Sequence, residues 1–323
     1  MREIPAAVRA KALDIGASAW LDDLPALIEG CARDWGLRLG DPFPDATEAY
    51  VVSTTRLDGT PAVLKLLIPR PASAAAHEIE FLHLAAGRGC SRLLEHDATR
   101  GALLLERLGP AMADLNLPQP ERLVLLAALA TAVRRISFPF TQSASFPAAD
   151  FPPGVFPTAV FPTAVFPTAV DRAERFIRYI GAKWNELGEP CSEAAMKQAL
   201  AAAESRRRAW DPGRAGLAHG DIHQWNALRT TTGSFKLVDP DGLVAEPECD
   251  LGVLMREDPV ELLAGDPWDR CRRLADRSGT DAQAIWEWGL ADRVATGLTL
   301  TVAGVQPVAA QMLAAADAIA RSS

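Results

Sequence analysis

The spacing of apolar residues changes character along this chain of 323 residues, and each change marks an element. Over residues 22–35, Leu24, Leu27, Ile28, Cys31 and Trp35 recur at helical spacing. They predict a helix capped by Asp22 or Asp23, with Pro25 in its first turn. The period then shortens: AYVVSTTRLDGTPAVLKLLIP (49–69) holds two β-rich runs around Asp58-Gly59, a hairpin signal. HEIEFLHLAA (77–86) predicts a helix stopped by Gly87 and Gly89, and RLLEHDATRGALLLERL (92–108) predicts two further strands joined by a turn. Beyond Pro118 the pattern is helical. LVLLAALATAVRRI (123–136) reads as a buried helix, and 171–187 aligns Phe176, Ile177, Ile180, Trp184 and Leu187 on one stripe. A third helix over 192–210 has Ser192 as its N-cap candidate. A β-rich first part followed by a helical remainder predicts an α+β protein of two lobes with a cleft between them.

Residues 138–170 stand apart, with FPPGV followed by FPTAV three times in succession. A proline every fifth residue excludes a regular helix or a central strand, so an extended surface loop is expected there. The alternative is a docking or lid segment whose Phe side chains cover the cleft.

Charge narrows the partners. Lys and Arg number 33 against 41 Asp and Glu, a net charge of -8, which argues against a general nucleic-acid binder and favours a cationic ligand. The five cysteines are odd in number and scattered without a CxxC pair, as expected of reduced thiols in the cytoplasm. The first residues, MREIPAAVRAKALDIG, do not read as a signal peptide, and the most apolar run, Leu123 to Val133, is too short to span a bilayer. A soluble cytoplasmic protein without a membrane partner is expected, as a monomer or weak homo-oligomer.

Chemistry concentrates in HGDIHQWNALRTTTGSFKLVDPDGLVAEPECDLG (219–252). Asp221 precedes a polar turn, Asn226 follows five residues later, and Asp239 closes an apolar strand thirteen residues after that. A short β-rich pair, TTTGSFKLV, turns at Gly233 between them. Two carboxylates and an amide at the edge of a hairpin form an oxygen donor set suited to Mg²⁺. His219 and His223 are four residues apart, but Gly220 interrupts any helix and no HExxH occurs, so His219 reads as a packed histidine holding the loop and His223 as a loop residue, rather than as zinc ligands. No Walker A motif occurs.

The order HGDxHxxN, apolar strand, Asp resembles the catalytic loop of aminoglycoside phosphotransferases, the counterpart of the protein-kinase HRD and DFG elements. DGTPAVLKL, HEIEFLHLAAGRGCSRLL, GALLLERL and VDPDGLVAEPECDLG extend the likeness, in order, to the streptomycin 6-kinase branch of the aminoglycoside and hydroxyurea resistance kinases. The resemblance implies a protein-kinase-like two-lobed fold: a small antiparallel-sheet N-lobe over 1–108 and a mostly helical C-lobe over 109–323 that carries the 138–170 insertion. It implies Asp221 as the catalytic carboxylate and Asn226 and Asp239 as magnesium ligands. Lys65 would hold the ATP phosphates, paired with Glu78 rather than its neighbour Glu80. Glu106, Arg107 and Leu108 would present backbone to adenine, and Asp250 would steady the loop. ATP, Mg²⁺ and a small cationic aminoglycoside, streptomycin at its 6-hydroxyl, are the implied cofactors and substrate. Hydroxyurea or another small hydroxylated metabolite, a non-catalytic nucleotide-binding module and a His-pair metal hydrolase are the rivals.

The chain departs from the pattern in two places. PDATEAYVVSTT stands where a Gly-rich loop would precede Lys65, with Ser53 or Thr54 near the phosphates, and Gln224-Trp225 replaces the Pro-Gly often found before the Asn. Arg206, Arg207 and Arg208 read as a solvated helix end. Glu246, Glu248, Glu257, Asp258 and Glu261 read as ordinary surface or as the lining of a pocket for a cationic sugar, and Asp241 as a turn residue or a second ligand. Trp286 and Trp288, two apart, cannot share a helix face, so at most one belongs to the core.

Overall fold

A computed structural model describes residues 3–69, 74–137 and 166–322. They fall into two compact units: one runs to Pro110 and takes in Leu228–Asp241, the other comprises Ala111–Ala227 and Gly242 onward.

The first unit starts with two helices, α1 (Ala6–Asp14) and α2 (Ser18–Asp34), followed by strands β1 (Leu37–Pro42), β2 (Ala49–Arg56) and β3 (Pro61–Leu67). Helix α3 (Ala74–Ala85) and strands β4 (Leu93–Asp97) and β5 (Ala102–Glu106) complete the local run. The sheet is antiparallel in the order β1-β2-β3-β5-β4. Strand alternation sorts its residues. Tyr50, Val52, Ala62, Leu64, Leu66, Ala102 and Leu104 pack with Trp20, Leu21, Leu24 and Ile28 of α2. Lys65 therefore points to the opposite face. Helix α2 begins four residues earlier than the sequence predicts, because Trp20 and Leu21 belong to its buried stripe. Pro25 thus lies inside the helix rather than in its first turn.

The second unit opens with α4 (Gln119–Arg134), α5 (Ala169–Glu186) and α6 (Glu193–Arg208), then β6 (Gly216–Ala218). Strands β7 (Ala227–Arg229) and β8 (Phe235–Leu237) form a ribbon that from Leu228 onward belongs to the first unit, and β9 (Leu243–Ala245) pairs with β6. The chain ends in α7 (Glu248–Val253), α8 (Pro259–Leu263), α9 (Pro267–Ser278), α10 (Ala282–Val302) and α11 (Val308–Ser322). Phe176, Ile180 and Trp184 of α5 meet Ala195, Ala199 and Ala203 of α6 and Trp288, Val294 and Leu298 of α10 in one core. Helices α7 and α10 cross on glycines. A Cβ on Gly252 would lie 2.3 Å from the Trp288 Cβ, and one on Gly289 would lie 2.5 Å from the Met255 Cβ.

Backbone bonds tie the ribbon to the rest of the first unit. Leu237 exchanges N–H and C=O with Gly89 and Ser91, and Arg229 does so with Gly109 and Pro110, all at 2.8–2.9 Å. Its first strand is Ala227–Arg229, just before the predicted TTT run, which instead forms the turn around Gly233.

Of the surface loop expected over 138–170, residues 138–165 lie outside the described residues, and its last FPTAV copy, 166–170, does not behave as loop. Phe166 is buried, and Thr168 caps α5 in a reciprocal box with Asp171. The Pro167 carbonyl accepts the Val244 N–H at 2.9 Å. Proline breaks helix interiors but precedes an N-cap without cost, which is why the fifth-residue rhythm misleads at its final repeat. Of the Arg206–Arg208 run, Arg206 is turned inward onto Glu287 at 2.5 Å instead of solvated, whereas Arg207 and Arg208 pair with Glu204. Trp288 is core, and Trp286 packs edge-on against Trp268 with ring centroids 5.0 Å apart. Among the described residues, no helix is long and apolar enough to cross a membrane.

Candidate active site

In the first unit, β3 carries Lys65 on the sheet face away from α2, and its ammonium meets two carboxylates. Nζ lies 2.6 Å from Glu78 Oε1 on α3 and 2.8 Å from Asp239 Oδ1, just beyond β8. Lys65 and Glu78 are buried. Burial opposes the ammonium charge, but Asp239 and Glu78 outweigh it and raise the Lys65 pKa above that of an ordinary lysine. Lys65 is therefore a fixed cation. The partner is Glu78 and not Glu80: two residues apart on a helix is a rotation of about 200°, so the two carboxylates leave α3 on opposite sides. Asp239 adopts a left-handed backbone (φ 58°), which aspartate tolerates better than most residues, and its side chain is about half exposed. Glu106 donates its own N–H to the Arg92 carbonyl and pairs its carboxylate with Lys236, while the Arg107 guanidinium stacks 4.7 Å above the Phe43 ring. Ser53 Oγ donates to the Asp41 carbonyl at 3.0 Å in an exposed contact, whereas Thr54 is buried.

In the second unit, the loop between β6 and β7 carries Asp221. Two backbone groups ahead of it are held by one buried carboxylate: Asp250 on α7 accepts the N–H of His219 at 2.9 Å and of Gly220 at 2.7 Å. Gly220 takes φ 90°, a conformation open to glycine. His219 is fully buried, and its Nδ1 accepts the Asp221 N–H at 3.3 Å. His223 Nδ1 accepts the Trp225 N–H, so the neutral ring carries its proton on Nε2, 3.2 Å from Asp221 Oδ2. Both histidines brace the loop. Asn226 donates Nδ2 to the Asp221 carbonyl at 3.1 Å and to Oδ2 at 3.2 Å, which orients its own Oδ1 as an acceptor.

The sequence reading missed Arg256. Its guanidinium pairs with Asp221 Oδ1, and behind that with Asp292 Oδ2 at 2.8 Å and Thr296 Oγ1 at 2.9 Å. Burial alone would raise the Asp221 pKa, but Arg256 and His223 hold it well below the usual carboxylate range. Nothing in a Met-Arg-Glu-Asp run distinguishes such an arginine from a surface one; the only available signal was its place shortly after the catalytic segment.

The acidic residues after β9 are mostly not surface. Glu246 is buried and accepts the Trp288 indole N–H at 2.8 Å, and Glu248 is buried against Arg214 and the Asp281 N–H. Glu257 is buried beside Gln224, and Asp258 pairs with Arg122 at 2.6 Å. Only Glu261 has a mainly exposed side chain. These residues were expected at the surface or in a pocket because a carboxylate is costly to bury; here arginines, an indole and backbone donors offset that cost.

The profile of the aminoglycoside/hydroxyurea antibiotic resistance kinase family matches residues 38–300. Streptomycin 6-kinase of Streptomyces griseus is 28% identical over 94% of this chain and 91% of its own length. That of Streptomyces glaucescens is 30% identical over 77% and 73%. Hydroxyurea phosphotransferase of Kitasatospora aureofaciens is 42% identical, but over only 33% of this chain and 32% of its own length. Among solved structures, aminoglycoside phosphotransferase APH(4)-Ia in ternary complex with ADP and hygromycin B superposes with a TM-score of 0.63 at 16% identity, covering 91% of this chain and 97% of that one. A macrolide 2'-phosphotransferase from Brachybacterium faecium superposes at 0.54 with 17% identity, over 92% and 97%. At these identities the structures establish the fold, which is protein-kinase-like and α+β.

Proposed function

Because this chain belongs to the aminoglycoside/hydroxyurea antibiotic resistance kinases, we propose that it transfers the γ-phosphoryl group of ATP to a hydroxyl of an aminoglycoside, streptomycin at the 6-hydroxyl. The observation that carries this reading is the presentation of Asp221. Its loop is tied to Asp250, and its side chain stays one-third exposed while three donors orient the carboxylate. A carboxylate so fixed suits a reaction that asks for alignment more than for covalent help.

The remaining roles follow from chemistry. Lys65 is a fixed cation for the phosphates, and backbone over Glu106, Arg107 and Leu108 is assigned to adenine. Asn226 supplies an amide oxygen and Asp239 a carboxylate. Such hard donors, few in number, fit Mg²⁺, which retains water and phosphate oxygens in its shell. Magnesium, when bound, would supply positive charge to the transferring phosphate. A cationic aminoglycoside also suits a chain of net charge -8. Hydroxyurea is the second reading, favoured by the 42% identity over 109 residues with a hydroxyurea phosphotransferase.

The test is ADP release from MgATP with streptomycin, with hydroxyurea and with neither, for the wild type and Asp221→Asn. Streptomycin-dependent release that vanishes in the variant is expected. Stimulation by hydroxyurea alone would move the assignment to the second reading, and a lack of response to either would sink both acceptors.

A further inference from the structure

Asp221 has two oxygens with about four acceptor directions between them. Oδ2 receives His223 Nε2 and Asn226 Nδ2, both at 3.2 Å. Among the described residues, Oδ1 receives only the Arg256 guanidinium. The oxygen with an acceptor direction remaining is thus the one that Arg256 grips.

Arg256 is itself held from behind. One arm, NH1, reaches Asp292 Oδ2 and Thr296 Oγ1 on α10, and the other, NH2, reaches Asp221. Asp292 in turn accepts from Arg172 of α5 at 3.3 Å. Arg256, Asp292 and Arg172 are all buried. A planar guanidinium with both arms committed cannot rotate without breaking contacts on two sides, whereas a lysine ammonium could satisfy only one of them at fixed geometry.

We propose that Arg256 is a positioning residue that fixes Asp221 so that Oδ1 takes the hydrogen bond of the acceptor hydroxyl, with Asp292 and Thr296 as its anchors. This rests on the kinase reading above. In the step it serves, the hydroxyl oxygen bonds to the γ-phosphorus as the bond to the β–γ bridging oxygen breaks. ADP keeps the electron pair of that bond, and the hydroxyl proton passes to Oδ1 and then to solvent. The guanidinium reduces the basicity of Oδ1, which a loose transition state tolerates because the proton moves late. What Arg256 contributes is direction.

The experiment compares full-length wild type, Arg256→Gln, Arg256→Lys and Thr296→Val in steady-state turnover, with thermal melts alongside. In Arg256→Gln, kcat falls by about 10²-fold, the scale of a misplaced reacting group, while KM for MgATP and for the acceptor stays within about threefold. Arg256→Lys lies between it and wild type, and Thr296→Val shows a smaller loss of the same kind. A folded Arg256→Gln with unchanged kcat overturns the proposal. So does one that loses acceptor KM alone, which makes Arg256 a binding residue, or one that turns over faster, which makes the pair a brake. If Arg256→Gln fails to fold, the Lys and Val variants decide by the same split between kcat and KM. Wild type inert with every acceptor removes the kinase reading and this inference with it, an outcome distinct from an active wild type with an equally active Gln variant.

Discussion

Asp250 accepts the N–H of Gly220 at 2.7 Å, across 30 residues of chain, and the same carboxylate holds the preceding N–H of His219. The residue before Asp221 is thereby fixed in a conformation that only glycine adopts readily, at φ 90°. The loop shape thus depends on a pair in which one member has no side chain and the other is a buried anion.

Asp250→Asn removes one of two charge-assisted acceptors and turns an amide N–H toward a backbone N–H. A loss of about 1–3 kcal/mol in stability is expected, together with reduced kcat. Urea unfolding and turnover measured on the same preparation check it; unchanged values in both would deny Asp250 its bracing role.

Lys65→Met leaves Glu78 buried without its cation, a change that costs about 3–5 kcal/mol when one partner of a buried pair is removed. Adding Glu78→Leu should recover most of that stability, since Asp239 can turn to solvent, yet MgATP binding should stay lost. Melting temperature and calorimetric titration with MgATP separate the two effects. Recovery of binding in the double variant would show that Lys65 has no part in holding the nucleotide.

Deleting residues 156–165 removes two FPTAV copies and regenerates the same Phe-Pro-Thr-Ala-Val-Asp junction at α5. Melting temperature and turnover should therefore match the parent. Thr168→Ala, which breaks the cap, should cost about 1 kcal/mol by contrast. A deletion variant with collapsed turnover would give the removed copies a role in the reaction.

Gly252→Ala places a methyl 2.3 Å from the Trp288 Cβ and 3.1 Å from the Gly289 backbone nitrogen, so α7 and α10 must separate. Overpacking of this kind costs about 1–3 kcal/mol, and Asp250, two residues away, would shift with α7. A lower melting temperature with reduced kcat is expected. An unaltered melt would mean that the helix crossing yields more easily than its glycines indicate.

The central strands, the helix at 77–86 and the helices after 171 and 192 were readable from period, turn residues and caps, because each is dictated by neighbours a few residues apart. Helix α1 and strand β1 were not, since α1 lacks a strong apolar stripe and β1, Leu-Arg-Leu-Gly-Asp-Pro, has few strand-forming residues. The inward turn of Arg206 and the burial of Glu246 and Glu248 escaped for a different reason. A charged residue reads as surface until its partner is known, and those partners, Glu287, Trp288 and Arg214, lie 34–81 residues away.

By itself, the sequence determined the family, the order of the elements and the identity of the groups that could do chemistry, because motif spacing and local period are written in adjacent residues. The tertiary structure alone decided their partners. It brought Asp239 back to Lys65 across 174 residues by pairing the β7–β8 ribbon with the backbone at Gly89, Ser91, Gly109 and Pro110, and it set Arg256 against Asp221 with Asp292 behind it. An ion pair of this kind forms between whichever charges the packing of apolar faces carries together, and no pattern along the chain encodes that meeting.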